Sequence, residues 1–185
     1  MADTGGSERL RAGLRVSVRP ALPEDATGIA EVECATWRAT YAGLLPQPVL
    51  DGYLGRGRSD SWRRLIAARR REVVFVAADE QGAVGFASCG RARDPLCRRA
   101  GFDVELYTLY VLPDWQGRRI GARLFEEICG CVVAGARRHL LVWMLKGGPA
   151  DGFYRKLGGR RLWERPGSLL GARLTEVAFG WRDLG

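Results

Sequence analysis

The chain has 185 residues, 46% of them hydrophobic and 27% charged, which suits one globular domain with a sizeable core. No apolar run approaches the ~18 residues of a membrane span, and the N-terminus lacks a secretory pattern, so a cytoplasmic address is expected and no membrane partner. The formal charge is +8, and of 29 basic residues only Lys146 and Lys156 are lysines. The arginines are scattered, without a cluster beside base-reading groups, so no nucleic-acid partner is expected. The five cysteines lack CxxC spacing and His139 is the one histidine, which argues against a metal site and against a histidine-based hydrolase.

Taken in order, residues 1–14 read as a flexible, Gly-rich tail and residues 15–185 as one domain. Residues 15–19 alternate as a short strand stopped by Pro20. Pro23-Glu24-Asp25 opens a helix running to about Tyr41, with Ile29, Val32 and Trp37 near helical spacing. Residues 42–46 belong to a loop. Short helices are expected near 49–54 and over 59–70, the second capped by Ser59 and ending in Arg69-Arg70-Arg71. The pattern then turns to β: strands at 73–78 and 83–89 around the turn 79–82, a polar loop at 91–101, and a long strand at 102–112. A turn at 113–117 leads into an amphipathic helix at 118–134, with Ile120, Leu124, Ile128 and Val132 on one stripe. A buried strand at 139–145, a short helix ending near Leu157, and strands at 160–163 and 174–181 complete a mixed α/β sheet with helices on both faces.

The strand–turn–helix run around Gln116-Gly117-Arg118-Arg119-Ile120-Gly121 is an anion site on physical grounds. The first amides of a helix have no internal partner and point along the positive end of its dipole. Gly117 and Gly121 would let a ligand approach the backbone, and the arginine forks match phosphate oxygens. An ordinary βα turn would look the same from spacing alone.

The run Gln116 to Ala122 resembles the Q/R-x-x-G-x-G/A motif of the GNAT N-acetyltransferase superfamily, with Leu109-Tyr110-Val111-Leu112-Pro113 like the strand that leads into it. The run Ala150-Asp151-Gly152-Phe153-Tyr154-Arg155-Lys156-Leu157-Gly158 is similar to the family's later A-x-x-F-Y-x-x-L-G segment. The resemblance covers roughly residues 16–181. It implies a mainly antiparallel sheet of six or seven strands, splayed between strands 4 and 5, and acetyl-CoA as cosubstrate without a metal. It implies a bulged strand whose backbone at Leu109, Tyr110 and Val111 pairs with the pantetheine arm. Gln116, Gly117, Arg118, Arg119, Ile120, Gly121 and Ala122 would then cradle the pyrophosphate. Arg119 stands where the family carries a glycine, and a helical Arg119 beside the phosphates is the expectation. Gly147 stands where an asparagine is frequent.

Acetyl transfer to an amine needs a neutral nucleophile, and an alkyl amine of pKa ~10.4 is neutral in only about one molecule in 2,500 at pH 7. The resemblance makes Tyr154 the acid that protonates the leaving thiolate and Glu105 the base, with Asp103 as the alternative, and places the Val111 amide on the carbonyl oxygen. Trp37 and Tyr41 are candidate lining for an amine acceptor, whether a small molecule or a peptide. An acyl-CoA-binding sensor without catalysis is the alternative function. A homodimer is expected, with the strand at 177–181 as its edge.

Overall fold

The computed structural model describes residues 15–41, 52, 57–68, 72–169 and 172–184. The loop at 42–46, the arginine run 69–71 and nearly all of the helix at 49–54 expected from the sequence lie outside these residues.

Strand β1 covers Ser17–Pro20. Its Arg19 grips Asp25 at 2.7 and 2.9 Å, and Asp25 accepts the Leu22 amide at 2.8 Å. Hydrogen bonding from Arg19 is the main reason that the Asp25 carboxyl lies below the usual range. This pinned corner launches a single 3-10 turn, Pro23–Asp25, and then helix α1, Ala26–Tyr41. Helix α2, Arg58–Ala68, packs on α1 and buries Trp62 and Ile66. Ser59 is not its cap: the helix starts one residue earlier, and the Ser59 hydroxyl meets Thr27 Oγ1 at 3.0 Å.

Strands β2 (Glu72–Asp79) and β3 (Gly82–Arg91) form the expected hairpin. Its turn is fixed by Asp79 Oδ1, which accepts the Gln81 and Gly82 amides at 2.8 and 3.0 Å. The expected loop at 91–101 holds a short helix α3, Pro95–Arg99. Asp94 caps it by accepting the Leu96 amide at 2.8 Å, Pro95 opens it, and Arg98 and Arg99 close it. Strand β4 is Val104–Val111, shorter at both ends than its sequence pattern. Helix α4, Ile120–Ala134, strand β5, Leu140–Leu145, and helix α5, Ala150–Lys156, follow. His139 precedes β5, with Nδ1 3.3 Å from the Gly101 carbonyl.

Strands β6 (Arg160–Leu169) and β7 (Ala172–Trp181) close a seven-stranded sheet of order β1-β2-β3-β4-β5-β7-β6. Every pairing is antiparallel except the parallel β4–β5 contact. Pro166 lies within β6, which is tolerable because β6 is an edge strand. The sequence-based edge at 177–181 is corrected here: β7 is paired on both sides, with β5 and β6.

Helix α4 covers one face of the sheet, where Phe75, Leu106, Leu124, Ile128, Leu140 and Phe179 share an apolar core. Helices α1 and α2 cover the other, around Ile29, Trp62, Val76 and Phe86. A smaller cluster of Ala92, Cys97, Phe102 and Leu141 sits under α3. Among the described residues no helix is long and apolar enough to cross a membrane.

Candidate active site

The sheet comes apart where the site is built. Strands β4 and β5 pair only through Val104–Leu140, Glu105–Leu141 and Leu106–Val142. Beyond these, β4 continues against β3 and β5 continues against β7. The divergence begins at a β-bulge: Ser88 registers on Thr108 and Cys89 on Leu106, which leaves Tyr107 as the extra residue. The Leu112 amide donates to the Val84 carbonyl at 2.9 Å. Antiparallel alternation then turns the backbone groups of Val111 and Leu109 away from β3, into the cleft. Of the three residues expected to offer backbone there, Tyr110 does not. Its backbone faces β3, and its side chain turns toward α1, where the hydroxyl accepts Trp37 Nε1 at 3.1 Å.

The cleft leads to the turn before α4. The N-cap of this fifteen-residue helix is Arg119, which makes no side-chain capping bond. The amides of Ile120, Gly121 and Ala122 belong to its first turn, which an anion can satisfy. Arg119 is not helical: its φ is 61° and ψ 8°, in the left-handed region, and Gly117 precedes it at φ 75°. The expectation of a helical Arg119 is therefore corrected, and the arginine carries about 1 kcal/mol of backbone strain that a glycine would not. Gly121 has a packing role. A Cβ there would lie 3.2 Å from the Phe153 ring and 3.6 Å from Leu109 Cδ2, so its bareness lets the start of α4 close on α5 and β4. Gln116 is exposed but donates to the Val111 carbonyl at 3.0 Å, while Arg118 lies over the Trp115 ring.

Tyr154 sits on α5 in the core beneath this turn, packed on Phe153, Phe179 and Trp181. Burial pushes its phenol well above the ordinary tyrosine value, so it stays protonated at neutral pH. Glu105 is 1% exposed and not the solvated carboxylate that a strand position would allow. It accepts the Arg93 amide at 2.8 Å and Arg93 Nε at 3.0 Å, and it is also paired with Arg93 Nη2. To act as a base it would first have to shed Arg93, whose guanidinium also lies 4.6 Å from the Tyr107 ring centroid. Asp103 is exposed and lies just outside β4.

On the α1/α2 face, a cavity of about 540 Å³ opens over the bulge. Trp37 lines it and stacks on Tyr41 with ring centroids 4.7 Å apart; Tyr41 itself is not among the lining residues. Among the polar side chains that line it and that the sequence reading passed over are Glu33, Glu72 and Thr108, beside Arg58, Ser61 and Arg93. Glu33 is buried on α1 and accepts Arg58 Nε at 2.9 Å and Trp62 Nε1 at 2.8 Å, with a further bond from Arg58 Nη2. Its signal was present: it stands four residues after Ile29 and four before Trp37, on the apolar stripe of α1. Glu72 and Thr108 carry no such local sign, because strand pairing alone brings them together.

Burial pushes the Cys89 thiol up to about 12 and that of Cys129 to about 11, and raises Cys34 and Cys97 as well, so none of these four offers a thiolate near pH 7. Among the described residues no cluster of His, Cys, Asp or Glu is placed to hold a metal.

A splayed sheet, a bulged strand and an open helix N-terminus define an acyl-CoA-type transferase fold, and comparison with known proteins agrees. Residues 70–158 match the family model described as an acetyltransferase (GNAT) domain. The chain is 34% identical over 170 residues to an uncharacterized N-acetyltransferase, YuaI, of Bacillus subtilis (strain 168), covering 91% of this chain and 94% of that one. Its fold is similar to that of the PaiA N-acetyltransferase from Thermoplasma acidophilum, solved in complex with coenzyme A. The TM-score is 0.72 at 16% identity, over 91% of this chain and 99% of that one. An N-acetyltransferase from Staphylococcus aureus Mu50 superposes with a TM-score of 0.70 at 18% identity, over 92% and 99% of the two chains. This chain belongs to the GNAT superfamily and is an N-acetyltransferase.

Proposed function

We propose that the enzyme moves the acetyl group of acetyl-CoA directly to a primary amine of a small molecule or peptide. The observation that carries this reading is the three-rung β4–β5 seam, which leaves the Leu109 backbone and the Val111 amide turned away from β3 along a line leading to the uncapped N-terminus of α4. That edge can pair with the amides of a pantetheine arm as an added strand does. The amides and arginines of residues 116–122 then face the pyrophosphate, in which role Arg118 and Arg119 supply charge and Gly117 the turn. In this reading the Val111 amide donates to the thioester oxygen as negative charge grows there.

Tyr154 gives its proton to the departing thiolate. Burial keeps the phenol protonated at neutral pH but also makes it a weaker acid than an ordinary tyrosine, so in this proposal donation depends on a direct hydrogen bond to the sulfur as its charge grows. Trp37, with Tyr41 behind it, forms an aromatic wall for the acceptor. Glu105, the base implied by family resemblance, is held by Arg93, and in this proposal the pair fixes the bulge. The raised cysteine thiols favour direct transfer over an acyl-cysteine intermediate. A cytoplasmic address and a homodimer belong to the same proposal. With β7 interior, β1 or β6 would supply a pairing edge.

Calorimetry with CoA and thiol release from acetyl-CoA over a panel of amines test the reading. Binding with turnover is expected; binding without turnover on any amine would make the protein an acyl-CoA sensor. Tyr154→Phe should lower the turnover rate about tenfold or more while leaving CoA affinity unchanged. Full activity in that variant would remove Tyr154 from the mechanism.

A further inference from the structure

Polar side chains, Ser88 and Glu105 buried and Glu72 and Thr108 half-buried, cross the α1/α2 face of the sheet in a line. On β2, Glu72 registers on Gly90; on β4, Glu105 registers on the same Gly90 from the other side. Ser88 lies diagonally beside Glu72 and interacts with its carboxylate. The Ser88 and Thr108 hydroxyls are 2.9 Å apart, with either able to donate, and Thr108 follows the bulged Tyr107. Ser88 is fully buried, and Thr108 opens into the acceptor cavity. Glu72 lines that cavity as well as a second one of about 860 Å³ beyond the start of β2.

Resting on the acetyl-transfer reading above, we propose that Glu72, reached through the hydroxyls of Thr108 and Ser88, takes the proton that the acceptor amine gives up. The amine N–H donates to Thr108 Oγ1, the Thr108 proton passes to Ser88 Oγ, and the Ser88 proton passes to the Glu72 carboxylate. Both hydroxyls end unchanged, and Glu72 ends as a neutral acid. Its proton leaves through the second cavity, so it need not return past the product. The two glutamates flanking Gly90 thus divide the work. Glu105 is closed off by Arg93, whereas Glu72 feels Arg93 only as a neighbouring charge.

The groups facing this route come from several elements. They are Arg93 after β3, Cys89 on β3, Glu105 and Tyr107 on β4, Glu33 on α1 with its partner Arg58 on α2, and the cavity-wall residues Arg91, Arg98 and Arg137. Desolvation outweighs the opposing influence of Ser88 and Arg93, and leaves the Glu72 carboxyl above the ordinary glutamate value. A carboxylate raised in this way is a better proton acceptor near neutral pH.

The test uses the full chain, acetyl-CoA and three probe amines: an alkyl diamine, an arylalkylamine and a short peptide with a free amino terminus. Glu72→Gln should lower kcat/KM at pH 7 about tenfold or more. The deficit should shrink as pH nears the pKa of the amine used, ~10.4 for the alkyl amine and ~8 for the peptide amino terminus, where the amine is already neutral. Thr108→Val should reproduce the loss and Thr108→Ser should restore it, both with CoA affinity unchanged by calorimetry. A Glu72→Gln profile that superposes on the wild type, or an unaffected Thr108→Val, overturns the proposal. Carbon-13 NMR of the glutamate carboxyls, with Glu72 assigned through Glu72→Gln, reads the same site without an acceptor. Glu72 should titrate above ordinary glutamates and move higher still in Ser88→Ala. An ordinary titration overturns the proposal even if no probe amine is acetylated. Absent CoA binding beside a raised Glu72 would instead overturn the acetyl-transfer reading.

Discussion

The two faces of the sheet are built on different terms. Toward α4 the core is apolar, from Phe75 and Leu106 through Leu124 and Ile128 to Phe179, with the Tyr154 phenol as the polar intrusion. Toward α1 and α2 the protein buries Glu33, Ser88 and Glu105, and places Glu72 and Thr108 beside them. A dry face holds its shape through packing alone, and here it backs a turn and an open strand edge that must not move. The polar face stays ordered only while each group keeps its partner, so its stability and its chemistry rest on the same bonds.

That contrast can be broken at either face. Leu124 is fully buried on the dry side, and Leu124→Ala should cost about 4 kcal/mol in denaturant unfolding. The shape of the pH–rate profile should not change; a changed profile would mean that the dry face takes part in the proton chemistry. Glu33→Ala on the polar side should cost about 3 kcal/mol, because Arg58 and Trp62 lose their acceptor. Unlike the first variant, it should also raise KM for the amine, since Glu33 lines the cavity proposed for the acceptor. A loss of stability without that KM change would make Glu33 purely structural. The smallest effect belongs to the turn between the faces. Arg119→Gly relieves a left-handed arginine and should stabilise the fold by about 1 kcal/mol. If CoA binding also weakens in that variant, the guanidinium contributes to holding phosphate; if it does not, the backbone alone does so.

The dry half of the site was the readable half. The strand into the turn, the amphipathic stripe of α4 and the Phe153-Tyr154 pair are contiguous runs whose geometry is local, and a linear pattern carries them. The polar half is assembled from α1, α2, β2, β3 and β4, and register decides which side chains meet. Glu72 and Thr108 become neighbours only through Ser88 on the strand between them. Arg119 was misjudged because glycine is the usual left-handed residue and a helical arginine the lower-energy guess. Tertiary closure of the turn overrode that local preference. The expected end of the sixth strand near Trp163 fell short for a related reason: Pro166 looks like a stop until the strand is known to lie at an edge.

The short seam between β4 and β5 also acts as a gauge. An exposed strand edge ordinarily recruits any chain that can zip onto it, and proteins guard such edges against unwanted association. Here the open stretch of β4 starts at the foot of a notch, immediately past the Leu106–Val142 rung, with β5 rising alongside. Where the two strands begin to part, a lone extended chain fits between them more readily than a folded neighbour's strand, which carries its own sheet with it. The same unpaired backbone can therefore stay receptive to a slender, amide-bearing arm and remain closed to the partners that would make it stick.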